Sequence, residues 1–233
     1  MIVANPVRAV LSDIYHGLVN LVYPAVCQGC DQPLPLVNEL QLCADCEARM
    51  LPTGWGNWVD RLTHSEGLDG AYSGWFFSGP IQHFIHSLKY NDRAKLGAVL
   101  GRYLGRMLTS DLTDAFDILT AIPLFGARQR ERGFNQSQWI VRGLAQALRK
   151  PADFGLLTRI RETRSQTELT SEERVVNVGD AFLASDKVRG LKIGIVDDVL
   201  TTGATASASA QALKKCGAEQ VVIITCATPR IRK

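Results

Sequence analysis

The sequence lacks the long apolar runs that would carry a chain across a membrane. No stretch approaches the roughly 20 apolar residues that a spanning helix needs. Apolar residues from Val7 to Leu21 recur at helical spacing, but Asp13 and His16 interrupt them, which predicts an amphipathic helix and not an export signal. We therefore expect no membrane insertion and a cytoplasmic location, where thiols stay reduced.

Two common phosphate-binding motifs are absent as well. The sequence contains neither G-x-x-x-x-G-K-[ST] nor a G-x-G-x-x-G turn, so Walker-type nucleotide hydrolysis and dinucleotide binding are not expected. It also has no low-complexity tract and no internal repeat. A chain of 233 residues then fits one medium domain and a small accessory module.

Acidic and basic residues are unevenly distributed along the chain. Residues 1–75 carry three basic and eight acidic side chains, whereas nine basic residues between Gly126 and Arg164 face only three acidic ones. A basic segment of this kind indicates an anionic ligand, either a phosphorylated small molecule or a nucleic acid. A solvated basic surface would have the same composition.

Four of the six cysteines form two CxxC pairs, and twelve residues separate the pairs. This spacing predicts a tetrahedral zinc site of four thiolates, which stabilises a small module and performs no chemistry. Disulfides would be reduced in the expected compartment, and a redox protein normally needs only one such pair. The predicted zinc ligands are Cys27, Cys30, Cys43 and Cys46. The other two cysteines, Cys216 and Cys226, are expected to be inert core residues.

Beyond the cysteines, predicted strands and helices alternate. Apolar runs predict strands at 71–77, 117–124, 155–161, 191–198 and 220–227, and helices at 79–90, 96–108, 137–149 and 204–217. This order predicts an α/β fold with a parallel sheet flanked by helices. Glycines spaced by four in the helix at 96–108 predict close packing on another helix. We expect an N-terminal part (1–70) with helix, zinc module and Gly-rich linker, and an α/β domain (71–233).

The end of the strand at 191–198 is the strongest candidate for a functional site. Ligands of parallel sheets bind beyond the carboxyl ends of the strands, and here the strand ends in Asp197 and Asp198. Thr201 to Thr205 then enter a helix, so backbone N–H groups and hydroxyls can hold a phosphate. Paired carboxylates suit vicinal ribose hydroxyls or a nearby Mg²⁺. The stretch predicts a site for a ribose 5-phosphate group, because helix capping alone would explain only one of these polar residues.

These residues carry a resemblance to a known family. The stretch IVDDVLTTGAT resembles the phosphoribosyl pyrophosphate (PRPP) loop of type I phosphoribosyltransferases. The resemblance implies PRPP with Mg²⁺ as the ligand, and Asp197 and Asp198 as the carboxylates that hold the ribose and, in a transferase, act as catalytic residues. It implies that the rest of the PRPP-binding loop consists of Val199, Leu200, Thr201, Thr202, Gly203, Ala204 and Thr205.

Other motifs narrow the family. The stretches IPLFGARQRERGFNQSQ and RIRETRSQTELTSEERVVNVGDAF, with the paired CxxC motifs, are similar to the ComF family of phosphoribosyltransferase-like proteins associated with competence for DNA uptake. That family implies a zinc module followed by a PRPP-binding domain that handles incoming single-stranded DNA. Two alternatives stay open. One is an active transferase moving ribose 5-phosphate from PRPP to a nitrogenous base, although no residue identifies the base. The other is a scaffold whose zinc module docks a DNA-uptake motor or helicase.

The basic loop after the strand at 117–124 adds candidate ligand contacts. Arg128 and Arg132 can neutralise a pyrophosphate, and Gly133 would let the backbone approach it closely. Residues 135–137 can cap the following helix.

Nucleic-acid contacts are predicted in the same loop. They are Arg130 and two aromatic residues that flank the basic cluster, Phe134 and Trp139. Downstream, residues 164–174 would form a mobile hood over PRPP. Gln166, Arg174 and Asn177 match ComF positions and have no assigned role.

Overall fold

The computed structural model describes residues 25–34, 38–89, 93–126, 130, 133–161 and 181–230. Six strands are present in these ranges: β1 (Gly70–Phe76), β2 (Ile118–Ala121), β3 (Leu157–Arg159), β4 (Phe182–Ala184), β5 (Lys192–Val199) and β6 (Gln220–Thr228). Four of them form a sheet in the order β1-β6-β5-β2, and every neighbouring pair is parallel. The predicted α/β architecture is therefore confirmed.

Helices cover both faces of this sheet. They are α1 (Ala44–Ala48), α2 (Gly79–Ser87), α3 (Leu96–Met107), α4 (Ser110–Thr113), α5 (Gln136–Leu148) and α6 (Ala204–Lys215), with short 3₁₀ turns at Val59–Arg61 and Asp186–Val188. Buried side chains of α2, α3 and α5 join one hydrophobic cluster, whereas those of α6 join a second cluster. Because β5 and β6 are covered on both faces, their sequences are almost continuously apolar.

The predicted strand at 155–161 is shorter than expected and lies outside the parallel sheet. Its residues 157–159 form β3, which pairs antiparallel with β4 in a separate two-stranded sheet. Leu157 and Phe182 pack into the same hydrophobic cluster as α6. A three-residue strand such as β4 has too short a pattern to be predicted from sequence.

Glycines bring α3 and α5 into close contact, as the spacing of Gly97, Gly101 and Gly105 predicted. A β-carbon at Gly101 would lie 2.0 Å from the carbonyl oxygen of Ile140, and one at Gly143 would lie 1.9 Å from that of Ala98. No side chain fits at either position, so the two helix backbones touch. This packing sets the position of α5, whose first turn faces β5.

The cysteine module has no hydrophobic core of its own. The side chains of Cys27, Leu42 and Cys46 are at most 1% exposed and belong to the same cluster as α2 and α3. On its outer side, Glu39 accepts hydrogen bonds from the guanidinium groups of Arg102 and Arg106 on α3. The boundary predicted at residue 70 therefore stays a prediction, since the apolar contacts continue across it.

The segment predicted as a linker, residues 52–70, lies along the sheet. Thr53 N–H donates to the Gly74 carbonyl, and Phe76 N–H donates to that of Leu51. Further on, Asn57 Oδ1 accepts from the N–H of Ala71 at 3.0 Å. These bonds cover the exposed edge of β1, which would otherwise present unpaired backbone groups.

Residues 1–24, including the predicted N-terminal helix, lie outside the described residues, as do 162–180. Within the ranges that are described, no helix has both the length and the apolar character needed to cross a membrane.

Candidate functional site

The turn between β5 and α6 forms one side of a concavity at the carboxyl edge of the sheet. This open space of about 330 Å³ is lined by Asp197 and by the whole of 199–206, with Ile122, Ile223 and Thr225 beneath. Gly203 has a φ of 85°, which a residue without a β-carbon adopts readily. The first N–H groups of α6 lack partners within the helix, and its dipole places partial positive charge there. The loop therefore has the donors that a phosphate needs.

The two carboxylates at the end of β5 are held by the first turn of α5. Ser137 Oγ donates to Asp197 Oδ1 at 2.8 Å, and Gln136 Nε2 donates to Asp198 Oδ2 at 3.2 Å. Asp197 Oδ1 also accepts from the backbone N–H of Asp198, and Asp198 Oδ1 accepts from that of Val199. Asp197 Oδ2 has no hydrogen bond from any residue that the structure describes. That oxygen can therefore accept from a ligand.

Asn135 fixes the turn that delivers these donors. Its Oδ1 accepts from Ser137 N–H at 2.9 Å, which caps α5, and its Nδ2 donates to the Ile122 carbonyl at 3.0 Å. Sequence reasoning predicted capping by residues 135–137 but missed the contacts of Gln136 and Ser137 with the acid pair. Gln136 is 4% exposed, and its Oε1 is buried without a hydrogen-bond partner in the described part of the chain.

The environment of Asp197 opposes its ionisation. Burial, and next the negative charge of Asp198, raise the pKa of Asp197 from 3.8 to about 7. The hydrogen bonds from Ser137 Oγ and Asp198 N–H act in the opposite direction, as does the positive charge of Arg159. The sequence did not single out Arg159 as a residue that affects the pKa of Asp197. Its guanidinium lies 5.3 Å from the centre of the Phe182 ring.

The segment 59–67 lies against the outer side of residues 199–205, which we call the phosphate loop. The sequence did not indicate this contact either. His64 N–H donates to the Thr202 carbonyl at 3.0 Å, and a β-carbon at Gly203 would lie 2.1 Å from the His64 carbonyl oxygen. Ser207 Oγ on α6 donates to the carboxylate of Glu66 at 2.7 Å. These contacts hold the loop from a part of the chain about 140 residues away.

The predicted basic loop is described only in part. Arg128 and Arg132 lie outside the described residues, as do Gln166, Arg174 and Asn177. Gly133 has a φ of 74° and is open on the side where a β-carbon would be. Arg130 is exposed and Phe134 is half-buried, whereas Trp139 lies on α5 with the Arg142 guanidinium 4.6 Å from its ring centre.

The four predicted zinc ligands come together. The Sγ atoms of Cys27, Cys30, Cys43 and Cys46 all lie within 4.8 Å of one another. Those of Cys30 and Cys43 are 3.9 Å apart, which fits two thiolates about 2.3 Å from a shared tetrahedral zinc ion. The donor set is therefore compatible with structural zinc.

Hydrogen bonds also reach two of the four sulfur atoms. The N–H groups of Cys43 and Gly29 donate to Cys27 Sγ at 3.2 and 3.4 Å, and Arg49 donates to Cys46 Sγ at 3.3 Å. Burial raises the pKa of Cys27, but these backbone donors outweigh it and lower the pKa to about 7. Donors of this kind stabilise thiolates in metal sites.

Comparison with known proteins agrees with this geometry. The model of the phosphoribosyl transferase domain family matches residues 103–233, more than half of the chain. DNA utilization protein YhgH of Escherichia coli (strain K12) is 34% identical over 151 residues, covering 63% of this chain and 66% of that protein. The chain thus spans slightly less than two thirds of the length of this relative.

Two more distant relatives align over more of the chain. Competence protein F of Haemophilus influenzae is 23% identical over 221 residues, covering 89% of this chain and 92% of that protein. Competence protein ComFC of Bacillus subtilis (strain 168) is 25% identical over 192 residues, covering 82% and 72%. The chain belongs to the phosphoribosyl transferase domain family and, within it, to the ComF family that its motifs predicted.

Proposed function

We propose that this chain binds a ribose 5-phosphate group, in PRPP or a related ligand, and supports DNA uptake by handling incoming single-stranded DNA. The first half of the proposal rests on the site, and the second on its relatives. Their names, Competence protein F, ComFC and DNA utilization protein YhgH, refer to DNA uptake and use.

One observation carries the ligand assignment: Asp197 and the phosphate loop face the same concavity. Asp197 and the loop residues 199–205 are all in its lining. The loop supplies backbone N–H groups and threonine hydroxyls as donors, which suits a phosphate. Asp197 Oδ2 supplies an acceptor, which suits a ribose hydroxyl. Asp198 is 9% exposed, accepts a hydrogen bond from Gln136 and is not among the residues that line the concavity.

Two cofactors belong to this proposal. Structural zinc would be held by the four cysteines. Asp197 and Asp198 have the oxygen ligands that Mg²⁺ prefers, so they could hold a Mg²⁺ ion that arrives with PRPP and neutralises its pyrophosphate. Arg128 and Arg132 would contact the same pyrophosphate, with Gly133 leaving room for it. A cytoplasmic location and a motor or helicase partner are part of the proposed role.

Calorimetric titration of PRPP with Mg²⁺ into the zinc-loaded protein tests the ligand assignment. We expect binding to the wild type and much weaker binding to Asp197→Asn/Asp198→Asn, which keeps the phosphate loop. The variant Asp114→Asn changes an exposed carboxylate outside the site and should bind like the wild type. Well-folded wild type that fails to bind would contradict the assignment. Pyrophosphate release in the presence of nitrogenous bases would identify an active transferase.

A further inference from the structure

Two arginines are stacked on aromatic rings beside the phosphate loop. The guanidinium of Arg61 lies 4.8 Å from the centre of the Trp58 ring. Trp58 packs edge-on against Phe76 with ring centres 5.7 Å apart, and the guanidinium of Arg230 lies 5.2 Å from the Phe76 ring centre. We call these four residues, Trp58, Arg61, Phe76 and Arg230, the arginine flank.

The flank adjoins the phosphate loop without being part of the concavity. Phe76 and Arg230 stand at or just after the carboxyl ends of β1 and β6, the same edge of the sheet as the acid pair. Next to Arg61, the side chain of Leu62 lies against Gly203, about 3.1 Å from the position of a β-carbon there. None of the four flank residues lines the concavity. The ribose 5-phosphate site therefore leaves them unused.

Both guanidinium groups can bind an anion. Arg61 and Arg230 are exposed, and neither has a carboxylate within 4.0 Å among the residues that the structure describes. The nearest acid in sequence, Asp60, lies on the same 3₁₀ turn and forms no ion pair with Arg61. A guanidinium stacked on a ring keeps its N–H groups free at the edges, where they can pair with phosphate oxygens in a fixed geometry.

The placement of the two cations on separate rings favours a polymer as the ligand. The ring centres are 5.7 Å apart and the ring planes meet at 88°, so successive phosphates of one strand can each contact one guanidinium. Buried Trp58 and half-buried Phe76 hold the arginines and are not themselves open for stacking bases. We infer that the arginine flank binds the phosphodiester backbone of single-stranded DNA that passes the outer side of the phosphate loop. This inference rests on the proposed function and places the strand away from Arg130, Phe134 and Trp139.

Fluorescence anisotropy with a labelled oligo(dT) strand tests the inference. For single strands, each lost phosphate contact lowers the slope of log affinity against log salt by about 0.7. We expect Arg61→Gln/Arg230→Gln to lower the slope by about 1.4 and to weaken binding by about 25-fold at 0.1 M salt. Arg61→Lys/Arg230→Lys, which keeps both charges, should retain most of the slope.

Arg142→Gln is the matched control, because Arg142 also stacks on aromatic rings, those of Trp139 and Phe154, but on α5. We expect it to bind oligo(dT) like the wild type. If Arg142→Gln loses the slope and the flank variant keeps it, the strand lies on the other face and the inference is overturned.

The remaining outcomes separate the inference from the proposed function. Wild type that binds oligo(dT) with a flank variant of unchanged slope overturns the flank but leaves DNA handling intact. Wild type that does not bind overturns both. The flank variant should bind ribose 5-phosphate normally, which shows that it is folded. If the double variant is not folded, the single variant Arg230→Gln, just after the end of β6, should lower the slope of log affinity against log salt by about 0.7.

Discussion

Asp197 combines two demands that conflict in a folded protein. The proposed function places it beside a ligand at the end of a buried strand, where burial and the charge of Asp198 raise its pKa to about 7. Between about pH 4 and pH 7, Asp197 therefore keeps its proton in the folded protein. In the unfolded chain, where its pKa is 3.8, it has already lost that proton. Stability consequently falls as pH rises through this interval.

Replacing this carboxylate should remove that pH dependence. We expect Asp197→Asn to gain stability relative to wild type, with the gain growing by on the order of 2 kcal/mol between pH 5 and pH 8. Urea unfolding of the ligand-free protein at the two pH values measures it. Asp114→Asn serves as the control, and an equal gain at both pH values would show that Asp197 is ionised normally.

Ser137 is the residue through which α5 acts on the acid pair. Its Oγ donates to Asp197 Oδ1, whereas Asn135 caps the helix through the Ser137 backbone. Ser137→Ala should therefore leave the helix cap intact and weaken ribose 5-phosphate binding about tenfold, since a hydrogen bond to a charged group contributes roughly 1.5–3 kcal/mol. Calorimetry on Ser137→Ala and on the exposed Ser110→Ala decides this. Equal affinities would show that Asp197 needs no support from α5.

At the scale of elements, the position of α5 depends on its contact with α3. Gly101 and Gly143 let the two backbones touch, and any side chain at Gly101 meets the Ile140 carbonyl at 2.0 Å. A β-carbon at Gly97, on the same helix, would lie 3.0 Å from Trp139 Cβ and 3.4 Å from a backbone oxygen, so its neighbours would have to shift much less than at Gly101.

Gly101→Ala should destabilise the protein by about 1–2 kcal/mol, because overpacking outweighs the gain of about 1 kcal/mol in helix propensity. Gly97→Ala has the same propensity gain and should cost clearly less. Chemical denaturation of the two variants compares them directly. A Gly101→Ala protein as stable as Gly97→Ala would mean that the helices are not in backbone contact.

Motifs contiguous in the sequence could be predicted, and contacts between distant segments could not. Asp197 to Thr205 and the paired cysteines each lie within short stretches of the sequence, so their spacing was enough to predict that they come together. Gln136 and Ser137 reach the acid pair across about 60 residues, and only the packing of α3 on α5 brings them there. The segment 59–67 was predicted as a linker because Gly and polar residues predominate, although Leu62 and His64 contact the phosphate loop.

For the whole molecule, the cysteine module and the α/β domain share one hydrophobic cluster. Leu42 and Cys46 pack with Phe84 and Leu104 in that cluster. Loss of the metal should therefore destabilise the entire chain and not only residues 25–50.

We expect Cys46→Ser, or removal of zinc by a chelator, to lower the midpoint of thermal unfolding by on the order of 10 °C in a single transition. Circular dichroism, which follows α5 and α6 as well as the sheet, is the measurement. Cys216→Ser, a thiol outside the cluster, should change it little. A sheet domain that melts at the wild-type temperature without zinc would show that the two parts are independent.

The main proposal is that the phosphate loop binds a phosphate and the acid pair binds the ribose. The most direct test is to titrate ribose 5-phosphate and inorganic phosphate separately into the wild type and into Asp197→Asn/Asp198→Asn. The proposal assigns the phosphate to the loop and the sugar to the carboxylates, so it predicts that the wild type prefers ribose 5-phosphate. The double variant should bind both ligands with the same, weaker affinity. A double variant that still prefers ribose 5-phosphate would contradict the assignment of Asp197 and Asp198 to the ribose.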